Sequence, residues 1–237
     1  MKLLDCFMYF DEDLVLDIRL NTLHAEVDKF IIAEATKNHV GSPKKLNFKI
    51  ENFSKFKDKI IYLIIDDLPI DVKSNKKGWH SSHVRDQFQR NALERGYKNF
   101  SDEDLIIISD IDEIPNPKKI KDFKIKNKFA CFLQKNFQSK INLLNISDNG
   151  WPGTKICQKK FLKSPQWLRD IKIKKKSFWK IFEKNIQIIE NGGWHFSFLK
   201  DPKSIQNKII SYSHQEYNNE IFTNVQNIED KISKGED

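Results

Sequence analysis

A run of branched apolar residues that ends in three carboxylates does most to limit what this chain can fold into. The segment is Asp104-Leu-Ile-Ile-Ile-Ser-Asp-Ile-Asp-Glu-Ile-Pro115. Leu105 to Ile108 offers no polar face, so it reads as a strand buried on both sides, as in a parallel sheet. Ligands of open α/β sheets gather at the carboxyl ends of such strands. Asp110, Asp112 and Glu113 crowd that end and repel one another unless a cation or proton intervenes. A hard divalent ion takes oxygen ligands and bridges to substrate phosphates. The Asp110-x-Asp112 pair is therefore a candidate metal and diphosphate site. A single cap would need only one acid, and Pro115 and Pro117 mark the turn expected next.

The rest of the chain supplies a frame for that strand. Lys2 to Phe7, Lys29 to Ala33 and Lys59 to Ile65 read as three further strands. A helix opens at the acidic Asp11-Glu-Asp13 and runs through about Val27, with an apolar stripe of Leu16, Leu20, Leu23 and Val27. A second helix spans about Ser82 to Gly96. The order strand, helix, strand, strand, helix, strand is a Rossmann-like half without a Gly-x-Gly-x-x-Gly fingerprint. Downstream, Phe129 to Leu144 suggests antiparallel strands. Asn149 to Gly153 is a turn, and Gly153 to Leu162 another strand. Ser164-Pro165 and Asp201-Pro202 open helices with Pro at the first position, the second running through about Tyr217. The 237 residues suit one domain, with 1–115 and 116–237 as its halves.

Composition excludes some classes. An aromatic content of 12% argues against disorder, and no apolar run reaches the ~20 residues needed to span a bilayer. Acid directly after Leu3-Leu4 is unlike a signal peptide, so the expected location is cytoplasmic. Cys6, Cys131 and Cys157 lack a paired spacing and read as reduced core residues. The net charge of +8 comes mostly from lysine. Most of these lysines read as compositional bias. Ile171 to Lys176 is the patch expected to meet an acceptor or an anionic membrane face.

Other residues are candidates for chemistry. His195, in Gly192-Gly-Trp-His-Phe-Ser197, is either a packed histidine or the third ligand of a metal. Arg85 and Gln89 share a helix face, and with Arg90 they could contact a ribose or diphosphate.

At this point the chain resembles glycosyltransferase family 17. The matching pieces are Asp5-Cys-Phe7 with Glu12, Arg19-Leu20, Val27-Asp-Lys-Phe30, Ile32-Ala-Glu34 and Gly41. They continue through Gln89-Arg-Asn91, Ile107 to Pro115, Trp151, Gly192 to Ser197, Lys208 and His214-Gln-Glu216. The resemblance implies a GT-A-like glycosyltransferase fold: a Rossmann-like N-terminal half, a mixed sheet and a helical C-terminal part. It implies a UDP-sugar donor, first UDP-GlcNAc, and a divalent ion, first Mn2+ and then Mg2+. It implies inverting transfer to a carbohydrate or glycolipid hydroxyl. Asp110, Asp112 and His195 would hold the metal. Phe7, Glu34, Arg85, Gln89, Arg90 and Asp110 would contact the donor. Glu113 is the first candidate for general base, with Glu216 and Asp148 behind it. The sequence leaves the oligomeric state open.

Two other classes stand beside this reading. A haloacid-dehalogenase-like phosphatase also ends a strand with Asp-x-Asp, but its fifth position is usually Thr or Val, and here it is Ile114. Its later acidic pair could only be Glu229-Asp230. A basic nucleic-acid-binding protein or nuclease would need a lysine stripe beside stacking aromatics, so no nucleic-acid partner is expected.

Overall fold

The computed structural model describes residues 1–70, 72, 80–173, 186–211 and 217–235. One mixed sheet organises them. Its first four strands are β1 (Leu3–Met8), β2 (Lys29–Ala35), β3 (Ile60–Ile65) and β4 (Leu105–Ile108). They lie in the order β3-β2-β1-β4 and are parallel throughout. The chain moves outward from β1 to β3, then returns to place β4 on the other side of β1. That reversal is a topological switch point, and it opens a crevice at the carboxyl ends of β1 and β4.

The parallel strands are buried on both faces, as the apolar runs require. Phe7, Phe30, Ile32 and Ile107 pack on one side with Leu16, Leu20 and Leu23 of helix α1 (Asp13–Leu23). Leu4, Cys6, Ile31, Ala33, Ile106 and Ile108 pack on the other. That second face meets Ala92 of α2 (Ser81–Ala92), then Leu93 at the junction and Tyr97 of α3 (Glu94–Tyr97). All three cysteines are buried free thiols. Burial pushes Cys131 up to about 11 and Cys157 up to about 12, which keeps both protonated.

The second half contains the expected antiparallel pairing together with parallel pairs. The predicted turn after the acidic strand contains a three-residue strand, β5 (Glu113–Pro115), followed by α4 (Pro117–Ile120). Within Phe129 to Leu144 lie one long strand, β6 (Phe129–Gln138), and an isolated bridge from Phe137 to Leu144. β7 (Trp151–Gln158) sits antiparallel between β4 and β6. Next come α5 (Pro165–Arg169), capped by Ser164, and β8 (Gln187–Ile189), which is parallel to β6. β9 (Gly193–Ser197) runs parallel to β6 and antiparallel to β5. Pro115, which lacks a backbone N–H, is tolerated because β5 is an edge strand.

Three C-terminal helices complete the described chain: α6 (Pro202–Ser211), α7 (Glu220–Thr223) and α8 (Val225–Lys234). Ile205, Ile209 and Ile228 give them a small apolar cluster of their own. Asp201 caps α6 by accepting from the backbone of Lys203 and Ser204. α6 is described as far as Ser211, and residues 212–216 of its expected course to about Tyr217 lie outside the described residues. α1 stops at Leu23 rather than Val27, although Val27 is buried as expected. Lys174 to Lys176 of the basic patch and Glu216 lie outside the described residues. No helix among the described residues is long and apolar enough to cross a membrane.

Candidate active site

The two sequence signatures meet by strand pairing. β5 and β9 form a short ladder in which Glu113 opposes His195, Ile114 opposes Trp194 and Pro115 opposes Gly193. Gly193 has φ +137°, and a Cβ there would lie 2.1 Å from the Ile114 carbonyl oxygen. Only glycine lets the strands approach this closely. The ladder brings His195 to the loop that carries Asp110 and Asp112.

Arg19 shapes that loop from below. Its guanidinium is fully buried and donates to both oxygens of Asp5, at 2.8 and 2.6 Å. It also donates to the carbonyls of Asp110, Ile111 and Glu113 and to the Ser109 hydroxyl. The ring of Phe7 lies 4.4 Å beneath it. Phe7 is thus a core residue supporting Arg19, and it does not line the cavity where a donor would sit.

Glu113 is also turned inward. It is fully buried and accepts from the Asp110 N–H at 3.0 Å, the Trp151 Nε1–H at 2.6 Å and Arg169 at 2.5 Å. Held by three donors, it points into the loop and does not line the neighbouring cavity. In this arrangement Glu113 anchors the loop. Trp151, fixed by Glu113, stacks on the His195 ring at 4.3 Å.

Asp110 sits between two arginines. Arg90 donates to Oδ1 at 3.0 Å and Arg169 to Oδ2 at 2.9 Å. Burial raises its pKa, but the guanidiniums of Arg169 and Arg90 outweigh that and hold it well below the usual carboxylate range. Its two oxygens are thus held by arginines at the cavity wall, beside Asp112.

Asp112 and His195 do face each other, with Nε2 3.9 Å from Oδ1. Asn136 donates through Nδ2 to Asp148 at 3.2 Å, so its Oδ1 accepts from His195 Nδ1 at 2.9 Å. Nδ1 then carries the proton, and a neutral ring leaves its Nε2 lone pair toward Asp112. An imidazole nitrogen oriented from behind and a carboxylate oxygen are a donor set that fits a divalent ion. Among the described residues no third His, Cys, Asp or Glu joins them as a ligand group. Mg2+-type sites of this kind use one or two carboxylates and take the rest from phosphates and water.

A cavity of about 340 Å3 opens here, lined among others by Phe10, Glu12, Arg90, Asp110, Asp112 and His195. Lys208 of α6 reaches into it, 3.3 Å from Glu12 and 3.6 Å from Asp112. Burial penalises the Glu12 charge, but Lys208 and Lys200 outweigh that and hold its pKa low. Gln89 lines the same cavity, donating to the Ala33 carbonyl and bonding His39.

Two expected donor contacts serve the frame instead. Arg85 spends its guanidinium on the carbonyls of His39, Val40, Pro69 and Ile70. Glu34 is fully buried and accepts from Lys44, Tyr62 and the backbone of Asn47 and Phe48. Both arrange the loops around the cavity without lining it. The residues that sequence reasoning passed over as site builders are Arg19, Arg169, Asn136 and Lys208. Arg19 and Lys208 sat within matching family segments, whereas nothing local marked Arg169 or Asn136.

The model of the family described as Glycosyltransferase family 17 matches residues 1–237. Curated relatives include the Homo sapiens beta-1,4-mannosyl-glycoprotein 4-beta-N-acetylglucosaminyltransferase. It is 23% identical over 227 residues, covering 83% of this chain and 40% of that protein. The Mus musculus protein of the same name is 22% identical over the same shares. The chain thus spans about two fifths of the length of the curated relatives it matches.

Proposed function

The chain belongs to glycosyltransferase family 17, and from that premise we propose that it is an inverting glycosyltransferase with a GT-A-like fold. The donor is a nucleotide sugar, UDP-GlcNAc first, and the acceptor is a hydroxyl of a glycan or glycolipid. The sugar is suggested by the N-acetylglucosaminyltransferase name of the curated relatives. The observation that carries the reading is the meeting of Asp112 with His195 inside the cavity at the switch point. The family match gives no support to the phosphatase or nucleic-acid alternatives.

Asp112 and His195 would hold a divalent ion, Mn2+ first and Mg2+ second. When bound, such an ion offsets the charge that grows on the leaving diphosphate. The chain's own residues do the rest. Arg19 and Glu113 fix the acidic loop from beneath. Asp110 is oriented by Arg90 and Arg169 and lines the cavity wall toward the donor. The Nε of Arg90 is buried without an acceptor among the described residues, which leaves a donor group for a ligand oxygen. The parallel half, 1–115, frames the donor side, and 116–237 frames the acceptor side.

With Glu113 committed to the loop, the general base falls to another carboxylate. Asp148 is exposed and joined to His195 through Asn136, and among the described residues it accepts from Asn136 and the Gly150 N–H. Asp148→Asn is expected to lower kcat by about 10²- to 10⁴-fold while leaving donor affinity intact. Single-turnover rates with saturating donor test this, and an unchanged rate removes Asp148 from the mechanism.

The function itself is tested by calorimetric titration of UDP-GlcNAc, UDP-Glc, UDP-Gal and GDP-Man, with and without Mn2+. One UDP-sugar should bind, and more tightly with the ion. Absence of binding by all four would sink the transferase reading.

A further inference from the structure

Lys208 stands apart from the other basic groups at the cavity. Arg90 lies directly on Asp110 and Asp86, and Lys44 on Glu34. Lys208 lies against two carboxylates, with separations of 3.3 Å to Glu12 and 3.6 Å to Asp112. A seated ammonium–carboxylate hydrogen bond is ~2.7–2.9 Å, so this ammonium is shared between its partners. Its side chain is only 20% exposed. Glu12 is itself buried, and its Oε2 accepts from the Phe10 and Asp11 N–H groups. Glu12 is therefore a fixed post, and Lys208 is the movable partner on a four-carbon stem.

Lys208 touches Asp112 through Oδ2, while Oδ1 is the oxygen that faces His195. The lysine and the ion-holding pair thus use different oxygens of one carboxylate, so both can be present together. The ammonium then lies beside the place where a diphosphate would meet Asp112.

Resting on the transferase reading above, we propose that Lys208 contacts the diphosphate of the donor and receives its charge as the glycosidic bond breaks. Glu12 is its positioning residue, holding the ammonium in the cavity before the donor arrives. The bond between the anomeric carbon and the diphosphate oxygen breaks with its electron pair leaving on that oxygen. The acceptor oxygen forms the new bond, and its proton passes to the general base. Lys208 stabilises the departing anion by charge and hydrogen bonding, and transfers no proton.

The test compares UDP with uridine, each titrated with Mn2+ present, for wild type, Lys208→Gln, Lys208→Arg and Glu12→Gln. Lys208→Gln should weaken UDP about 10- to 100-fold, the range of one charge-assisted hydrogen bond, and leave uridine unchanged. Lys208→Arg should keep most of the UDP affinity. Glu12→Gln should weaken UDP by less than Lys208→Gln does. Equal UDP affinity in Lys208→Gln and wild type overturns the assignment to Lys208. So does a parallel loss of uridine, because that reports a collapsed cavity rather than a lost phosphate contact. Failure of wild type to bind either UDP or uridine strikes the transferase reading itself, which separates the two failures.

Discussion

Arg19→Met is expected to cost about 3–5 kcal/mol of folding stability, the usual penalty for stranding one partner of a buried ion pair. A domain of this kind has only about 5–15 kcal/mol in total, so the variant should sit near the edge of folding. The reason lies in what the guanidinium does. It neutralises Asp5 inside the sheet and satisfies three carbonyls of the acidic loop at once. Methionine fills the space but leaves a buried carboxylate and three unmet acceptors. Adding Asp5→Leu removes the stranded charge and should recover part of the loss. It cannot recover the part owed to the loop carbonyls. Urea denaturation of wild type, single and double variants reads both components. A single variant within about 1 kcal/mol of wild type would show that Arg19 is not the support of the loop.

Asp112→Ala is expected to abolish the Mn2+ enhancement of donor binding and to lower turnover by roughly 10³-fold or more. The fold should survive, because the Asp112 side chain faces the cavity and no described side chain hydrogen-bonds it tightly. Far-ultraviolet circular dichroism checks the fold, and calorimetry with and without the ion checks the site. A variant that binds donor as tightly, with the same response to Mn2+, would remove Asp112 from the ion-holding pair. Asp110→Ala makes an informative contrast. It leaves Arg90 and Arg169 facing each other without their shared anion, so its main effect should fall on the shape of the loop.

Much of the first half was legible because its signals are local. The apolar runs at β1, β2, β3 and β4 have no polar face, and only a doubly covered parallel sheet suits them. Ser164 and Asp201 capped helices where a cap followed by Pro said they would. Asp112 and His195 were both read as candidate ligands, and they do face each other. The features that were not legible are long-range. The role of Glu113 depended on Trp151 and Arg169, residues 38 and 56 positions away, and no periodicity encodes such a partner. Asp110 looked like the equal of Asp112 in sequence, and the two arginines that hold it, Arg90 from α2 and Arg169 from α5, set it apart. β5 looked like a turn because Pro115 normally ends a strand, and its edge position is a tertiary fact. Phe129 to Leu144 read as antiparallel strands; β6 does pair antiparallel with β7, but its parallel partners β8 and β9 come from far along the chain.

The ladder between β5 and β9 also sets when the molecule becomes competent. Glu113 and His195 are paired across 82 positions of chain, so the site has no local precursor. A polypeptide emerging from the ribosome can assemble the parallel strands β1 to β4 once residue 108 is free. The acidic loop then waits, without its histidine, until a further 87 residues have been made. Contacts of such sequence separation are slow to form, because the intervening chain must give up its freedom first. Ion binding should therefore appear late in refolding, after the secondary structure has already formed.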